Sequence, residues 1–186
     1  MMRLSQLLLA VSMMFGGSAL AVDWNIDNSH AAANFAVSHL GISNTHGRFN
    51  KIKGTISTDG DALKVNVEID AASVDSNDAK RDEHLRGPDF FDVKQFPTLT
   101  FVSTGSTKTG EKTWDVTGDL TIRGVKKAVT VKVTKVGEGK DPWGGTRIGF
   151  DTSFTIKRAD YGMTYGPGAV GEDVTITLAI EGIQAK

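Results

Sequence analysis

The chain has 186 residues, with 21 Lys+Arg against 22 Asp+Glu, a net charge of −1 and no cysteine. The near balance of charge removes the electrostatic case for nucleic-acid binding, which needs a basic stripe. The missing thiols exclude disulfides, thiolate metal sites, iron–sulfur clusters and cysteine nucleophiles, so the fold must stand on its apolar core alone.

Residues 1–21 read as a secretory signal peptide. Arg3 precedes the apolar run 7–15, and small residues lead to Ala19-Leu20-Ala21. This is the charged, apolar and small-residue order of an exported leader. The apolar run is shorter than the roughly 20 residues that span a bilayer, and Gly16-Gly17-Ser18 interrupts it. Cleavage after Ala21 is expected, leaving residues 22–186 as one domain with no integral membrane span.

From there on, alternation with period two dominates, the mark of strands with one buried face. A short strand at 24–26 comes first, followed by strands at 35–40 and 49–57, with His46 in the turn before Gly47. Leu63, Val65, Val67 and Ile69 then share a face against Lys64, Asn66, Glu68 and Asp70. The charged segment 78–86 is the one convincing helix, with Asn77 or Asp78 as N-cap and Gly87 as C′. Its Arg81 and Asp82 point in different directions, so each is expected to pair with the barrel. Phe90, Phe91 and Phe96 follow, then a strand at 99–104. Trp114, Val116, Gly118, Leu120 and Ile122 alternate with polar residues, as do Val129, Val131 and Val133. Ile148, Phe150, Phe154 and Ile156, and then Val174, Ile176, Leu178 and Ile180, complete the set. Asp59-Gly60, 105–110, Gly124 and 137–145 carry turn chemistry between them.

Eight strands with one apolar face must close or pair to hide their edges. The expected fold is all-β: a single antiparallel eight-stranded lipocalin-like barrel with one short capping helix. Such a barrel is just wide enough to be filled by side chains or to hold a slender ligand. An outer-membrane barrel would need its apolar face outward, whereas the outward set here is Lys, Asp, Glu and Thr. A charged helix over a group of aromatics reads as the lid or floor of an apolar cavity.

The candidate chemistry is sparse. No two of the four histidines (His30, His39, His46, His84) have the spacing of a zinc site, and no metal is expected. His39 shares a face with Phe35 and Val37, as a polar group at a barrel mouth or a contact for a ligand head group. There is no G-x-S-x-G elbow and no H-E-x-x-H, and Asp82 and Glu83 diverge on their helix, so no catalytic residue is assigned. Trp143, in a Gly-rich loop, is expected to pack on the barrel end rather than form a rim. The segment 161–168 has the composition of a gate or of an ordinary long connection between the last two strands.

Residues spread over the chain resemble the YceI-like family of secreted lipocalin-like barrels. They include Trp24-Asn25-Ile26-Asp27, Phe35-Ala36-Val37-Ser38-His39-Leu40-Gly41 and Gly47-Arg48-Phe49. The most specific are Arg81-Asp82-Glu83-His84-Leu85 through Phe90-Phe91, and Phe96-Pro97-Thr98-Leu99-Thr100-Phe101. Gly118-Asp119-Leu120-Thr121-Ile122-Arg123-Gly124-Val125 and Ile148-Gly149-Phe150 extend the match. Ala128 stands where the family often has proline, a change in a turn that touches nothing functional.

The resemblance implies a periplasmic carrier, store or sequestering protein for a long apolar chain: a polyisoprenoid, an isoprenoid quinone or a fatty-acyl lipid. No cofactor is implied, and a homodimer is left open. The inward faces supply the candidate tunnel lining: Phe35, Val37, His39, Phe49, Val65, Val67, Phe90, Phe91 and Leu99. Phe101, Trp114, Val116, Leu120, Val131, Phe150, Phe154, Ile176 and Leu178 complete it. Strands of about ten residues would make the tunnel on the order of 30 Å long. The alternative is an interaction module whose barrel is packed solid.

Overall fold

A computed structural model describes residues 21–186, so the expected leader lies, up to its last residue, outside the described residues. The strands are β1 (Val22–Ile26), β2 (Ala32–His39), β3 (Ser43–Phe49), β4 (Ile52–Asp59), β5 (Ala62–Asp70) and β6 (Val74–Asp75). After the helix α1 (Ala79–Arg86) come β7 (Thr98–Gly110), β8 (Thr113–Ile122), β9 (Val125–Lys140), β10 (Thr146–Lys157) and β11 (Val170–Gln184). Pairing runs β1-β4-β5-β7-β8-β9-β10-β11 and returns from β11 to β1, which closes an antiparallel barrel of eight strands. The branch β2-β3-β6 leaves the barrel from β11.

One long strand makes both the closure and the branch. β11 pairs with β1 through residues 182–184 and with β2 through residues 170–179. The 3₁₀ turn Asn28–His30 separates the two partners. Asn28 Oδ1 there accepts the Ile52 amide at 2.6 Å, satisfying an edge group that β1 does not reach. Between β9 and β10, pairing stops at Val133 and Thr152. The segment 158–169 returns near that gap: Arg123 Nη1 donates to the Gly162 carbonyl at 2.7 Å, and Lys127 faces Asp160 at 3.6 Å.

Several boundaries differ from the sequence reading. The expected strand 49–57 is two strands broken at Asn50-Lys51, and the β2–β3 hairpin precedes it. His46 is therefore not in a turn; it sits in β3 opposite Ala36. β3, SNTHGRF, is polar on both faces, so it carries no alternation to read. Gly105 and Gly110 lie inside β7, where the register shifts twice, and Gly137 and Gly139 lie inside β9. Hydrogen bonding rather than burial sets the length of these outer strand ends.

Asp78 caps α1 by accepting the Arg81 amide at 2.8 Å. Gly87 closes the helix at φ −76°, extended backbone rather than the left-handed C′. Arg81 and Asp82 do not reach the barrel strands. Asp82 Oδ1 accepts from the Ser76 amide and hydroxyl at 2.7 and 2.6 Å, while Arg81 Nε donates to the same hydroxyl at 2.8 Å. Arg86 donates to the carbonyls of Ala72 and Val74, both at 2.9 Å. The helix is thus moored to the segment just before it, and Leu85 from the helix and Phe91 from the turn after it pack onto the core.

The closing seam is held by one guanidinium. Arg147 Nη1 donates to Asp27 Oδ2 at 2.8 Å and to Glu181 Oε1 at 2.5 Å, and Nε donates to Asp141 Oδ2 at 3.0 Å. Its side chain is 21% exposed, and those of Asp27 and Asp141 are 15% and 9% exposed. The Ser29 hydroxyl first, and Arg147 second, hold the Asp27 carboxyl well below the usual carboxylate range. Arg147 does the same for Asp141. Carboxyls depressed in this way contribute full stability above the ordinary carboxylate pKa of about 4 and lose it progressively as pH falls from that value down through their depressed pKa. Arg147→Met should therefore melt below the wild type at neutral pH, with the gap narrowing as pH drops below about 5 and continuing to narrow down to about 2. Thermal melts across that range check this, and a gap independent of pH would refute it.

Candidate functional site

At the end of the barrel that carries α1, the interior holds a cavity of about 170 Å³. Its wall follows β10 from Phe150 to Ile156 and β11 from Val174 to Ile180, about 20 Å of strand. Leu85, Phe90, Phe91 and Met163 meet it from the segments over that end. The other part of the interior is solid. Trp24, Leu63, Trp114, Val116 and Ile148 are each 7% exposed or less, and Trp114 Nε1 is anchored on the Asp61 carbonyl at 2.9 Å.

The structure brings most of the candidate lining together. Phe35, Val37, Phe49, Val65, Val67, Phe90 and Phe91 all border the cavity. So do Leu99, Phe101, Leu120, Phe150, Phe154, Ile176 and Leu178. Four do not. Trp114, Val116 and Val131 belong to the packed interior, so the cavity is shorter than the expected tunnel. His39 is exposed at the end of β2 and does not border the cavity, because the hairpin carries it to the barrel rim. Trp143 neither packs nor forms a rim at the cavity. It is 81% exposed in the β9–β10 loop, at the end away from α1.

The sequence reading omitted several lining residues. Ile69, Ile122, Ile156, Val174 and Ile180 continue alternations already visible in the sequence. Met163 and Arg158 had no such signal, since both stand in a segment without periodicity. Arg158 borders the cavity with a side chain only 3% exposed. Its donors are taken by the carbonyls of Met163, Tyr165, Val170 and Gly171 at 2.8–2.9 Å, with Glu172 at 3.3 Å. This satisfied guanidinium pins the segment 158–169 over the cavity.

Two details keep the lumen free. Phe35 lies over Gly47, its cross-strand partner, and Phe101 lies over Gly118, where a Cβ would stand 2.5 Å from the ring. The missing side chains let both rings lie flat along the wall instead of reaching across it. Over the cavity, His84, Phe90 and Tyr165 form an edge-to-face trio with ring centres 4.8–5.6 Å apart. That trio joins the helix segment to the 158–169 segment. His84 Nε2 is also 2.9 Å from Asp89 Oδ2.

The lining carries almost no polar chemistry that converges on one point, as a nucleophile and its base must. Among the described residues, Asp27, His30 and Glu181 come close enough together to hold a cation. Arg147 already lies against both of those carboxylates and supplies the positive charge. No helix among the described residues is long and apolar enough to cross a membrane.

Comparison with known proteins places these features in a family. The model of the YceI-like domain matches residues 24–182. A relative from Pseudomonas savastanoi pv. phaseolicola, described as a UPF0312 protein, is 45% identical over 188 residues, covering 98% of this chain and 97% of its own. The solved structure of BcnA from Burkholderia cenocepacia is 28% identical with a TM-score of 0.76, covering 84% of this chain and 98% of that one. A polyisoprenoid binding domain from Saccharophagus degradans, implicated in plant cell wall breakdown, shares the fold at a TM-score of 0.70 and 20% identity. It covers 87% of this chain and 98% of its own.

Two substitutions separate the packed part from the cavity. Val116→Trp, at a position 0% exposed, should cost about 1–3 kcal/mol by overpacking, with the melting temperature falling accordingly. Gly47→Ala should tip the Phe35 ring into the lumen. That should weaken long-chain binding by about tenfold, the worth of one or two displaced methylenes, with less change in melting. Equal binding by Gly47→Ala and the wild type would show that this wall does not bound a ligand.

Proposed function

The chain belongs to the YceI-like family, and from that premise and the apolar cavity we propose that it carries or sequesters a long apolar chain inside its barrel. The ligand class is a polyisoprenoid, an isoprenoid quinone or a fatty-acyl lipid, and the compartment is the periplasm. The observation that carries this reading is the wall itself, Val, Ile, Leu, Met and Phe over nearly its whole surface. Such a wall rewards buried carbon at about 0.8 kcal/mol per CH₂, or about 4 kcal/mol per five-carbon unit.

Apolar cavities of this size stay dry and take up small hydrocarbons. A longer chain would insert its tail and run out beneath the helix segment, widening the space by moving the His84–Phe90–Tyr165 contact. The polyisoprenoid binding domain of the same fold supports this class of ligand. Export is supported by the leader pattern in residues 1–21, and cell fractionation tests it. The packed half of the interior would favour a purely structural module, but the void beside it is left unfilled by the chain's own side chains.

Protein purified without detergent, extracted into organic solvent and analysed by mass spectrometry, should yield a long-chain lipid in chemically unaltered form. Repeated empty extracts, together with no uptake of added prenyl or acyl chains, would overturn the proposal. Tyr165→Ala removes two of the trio's three contacts, together worth about 1–3 kcal/mol. It should speed release of a bound fluorescent chain by a factor of about 5–100 while leaving the fold intact. Unchanged release kinetics would remove the trio from the ligand's path.

A further inference from the structure

The tip of the β2–β3 hairpin combines a left-handed backbone with two exposed aliphatic side chains. Leu40 has φ 55° and Gly41 has φ 68°, and the Ile42 amide closes the turn on the His39 carbonyl at 3.1 Å. A turn with two positive φ values favours Asn-Gly, and a leucine in this conformation is strained. Leu40 is nonetheless 55% exposed and Ile42 81% exposed. Neither backbone geometry nor packing within the chain explains two aliphatic residues there.

The charge pattern points to what does. Residues 28–47 contain no Lys, Arg, Asp or Glu, in a chain that is 23% charged. The tip can thus approach a low-dielectric phase without burying a Lys, Arg, Asp or Glu, each of which would be costly, and Arg48 lies at the base of β3, away from the turn. The hairpin is also continuous with the cavity. The Leu40 amide donates to the Ala169 carbonyl at 2.8 Å, and His39 pairs with Val170, itself a cavity residue. Tyr165, 49% exposed, lies in the same segment and touches Phe90 at the cavity wall.

We propose that the Leu40–Ile42 tip docks the protein on a lipid bilayer surface and so places the cavity end where an apolar chain can pass between membrane and barrel. This rests on the carrier reading for its purpose, but the docking is measurable without it. A bilayer fits better than a second copy of the chain. A strand-edge dimer needs an edge whose N–H and C=O groups pair, whereas the exposed apolar atoms here project from a turn. Trp143, exposed at the opposite end of the barrel, provides an internal control for unspecific stickiness.

The test uses neutral phosphatidylcholine vesicles and a fluorescent long-chain prenyl probe. The wild type should float with the vesicles, without release at high salt, since a charge-free contact is not screened. The double variant Leu40→Asn/Ile42→Asp puts the favoured Asn-Gly pair in the turn, so it should fold at least as well. It should slow vesicle-to-protein transfer of the probe by about tenfold or more, while Trp143→Ser transfers as the wild type does. Probe delivered from ethanol should bind wild type and double variant equally. If the wild type takes up no probe from ethanol, the carrier reading fails, and flotation alone decides the docking. A wild type that does not float, or a double variant that floats and transfers normally, overturns the docking. A wild-type dimer by light scattering that the double variant breaks, with flotation unchanged, would assign the tip to contacts between copies and overturn it as well.

Discussion

Closure of the barrel depends on β1, a strand of only five residues that must pair on both sides at once. On one side it meets β4 and on the other the last residues of β11. Few backbone bonds hold each flank, so the corner is reinforced by Arg147. Its guanidinium ties Asp27, just after β1, to Glu181 on β11 and Asp141 before β10. A planar fork with several fixed donors suits this task better than a flexible ammonium would. Without closure β4 and β11 would be open edges, and the interior would have neither a sealed nor a cavity-bearing end.

Closure at that end lets the interior divide. Trp24 and Trp114 are the largest side chains available, and both are spent near the closing seam, each held by its indole N–H. Toward α1 the wall holds no Trp, and two of its seven phenylalanines, Phe35 and Phe101, lie back onto glycines. The cavity is therefore a consequence of where bulk is placed, with the glycines as necessary as the phenylalanines. An apolar void of this kind loses contact energy relative to a filled core. A chain that retains it gives up some stability, which binding an apolar guest would restore.

The segments over the cavity are tied down by polar contacts outside it. α1 has no buried residue and is moored through Ser76, Ala72 and Val74, while Arg158 gathers the carbonyls of 163–171. Between them an aromatic trio makes contact across the gap. Strong bonds thus hold each flap to its own base, and weak ones hold the flaps together, a distribution that permits local opening without global unfolding.

Much of this was legible in residue order alone. Strict alternation marked the long barrel strands and most of the cavity wall, because a two-residue period assigns each side chain to the inside or outside regardless of partners. The helix was legible from its caps and charge. The depth of the cavity was not: Val116 and Val131 point inward just as Leu120 does, but position along the barrel axis depends on register and tilt, which belong to pairs of strands. β3 was invisible because both its faces are polar. His39 fell on the inward side of its alternation, yet the hairpin carries it to the rim. Arg147 and Arg158 looked like ordinary surface arginines, because what makes each a fastener is a set of acceptors brought from distant parts of the chain. Sequence by itself determined which way each strand faces, since that is local geometry. Only the tertiary structure decided how deep the lumen is and what holds it shut, since both are set by contacts between residues far apart in the chain.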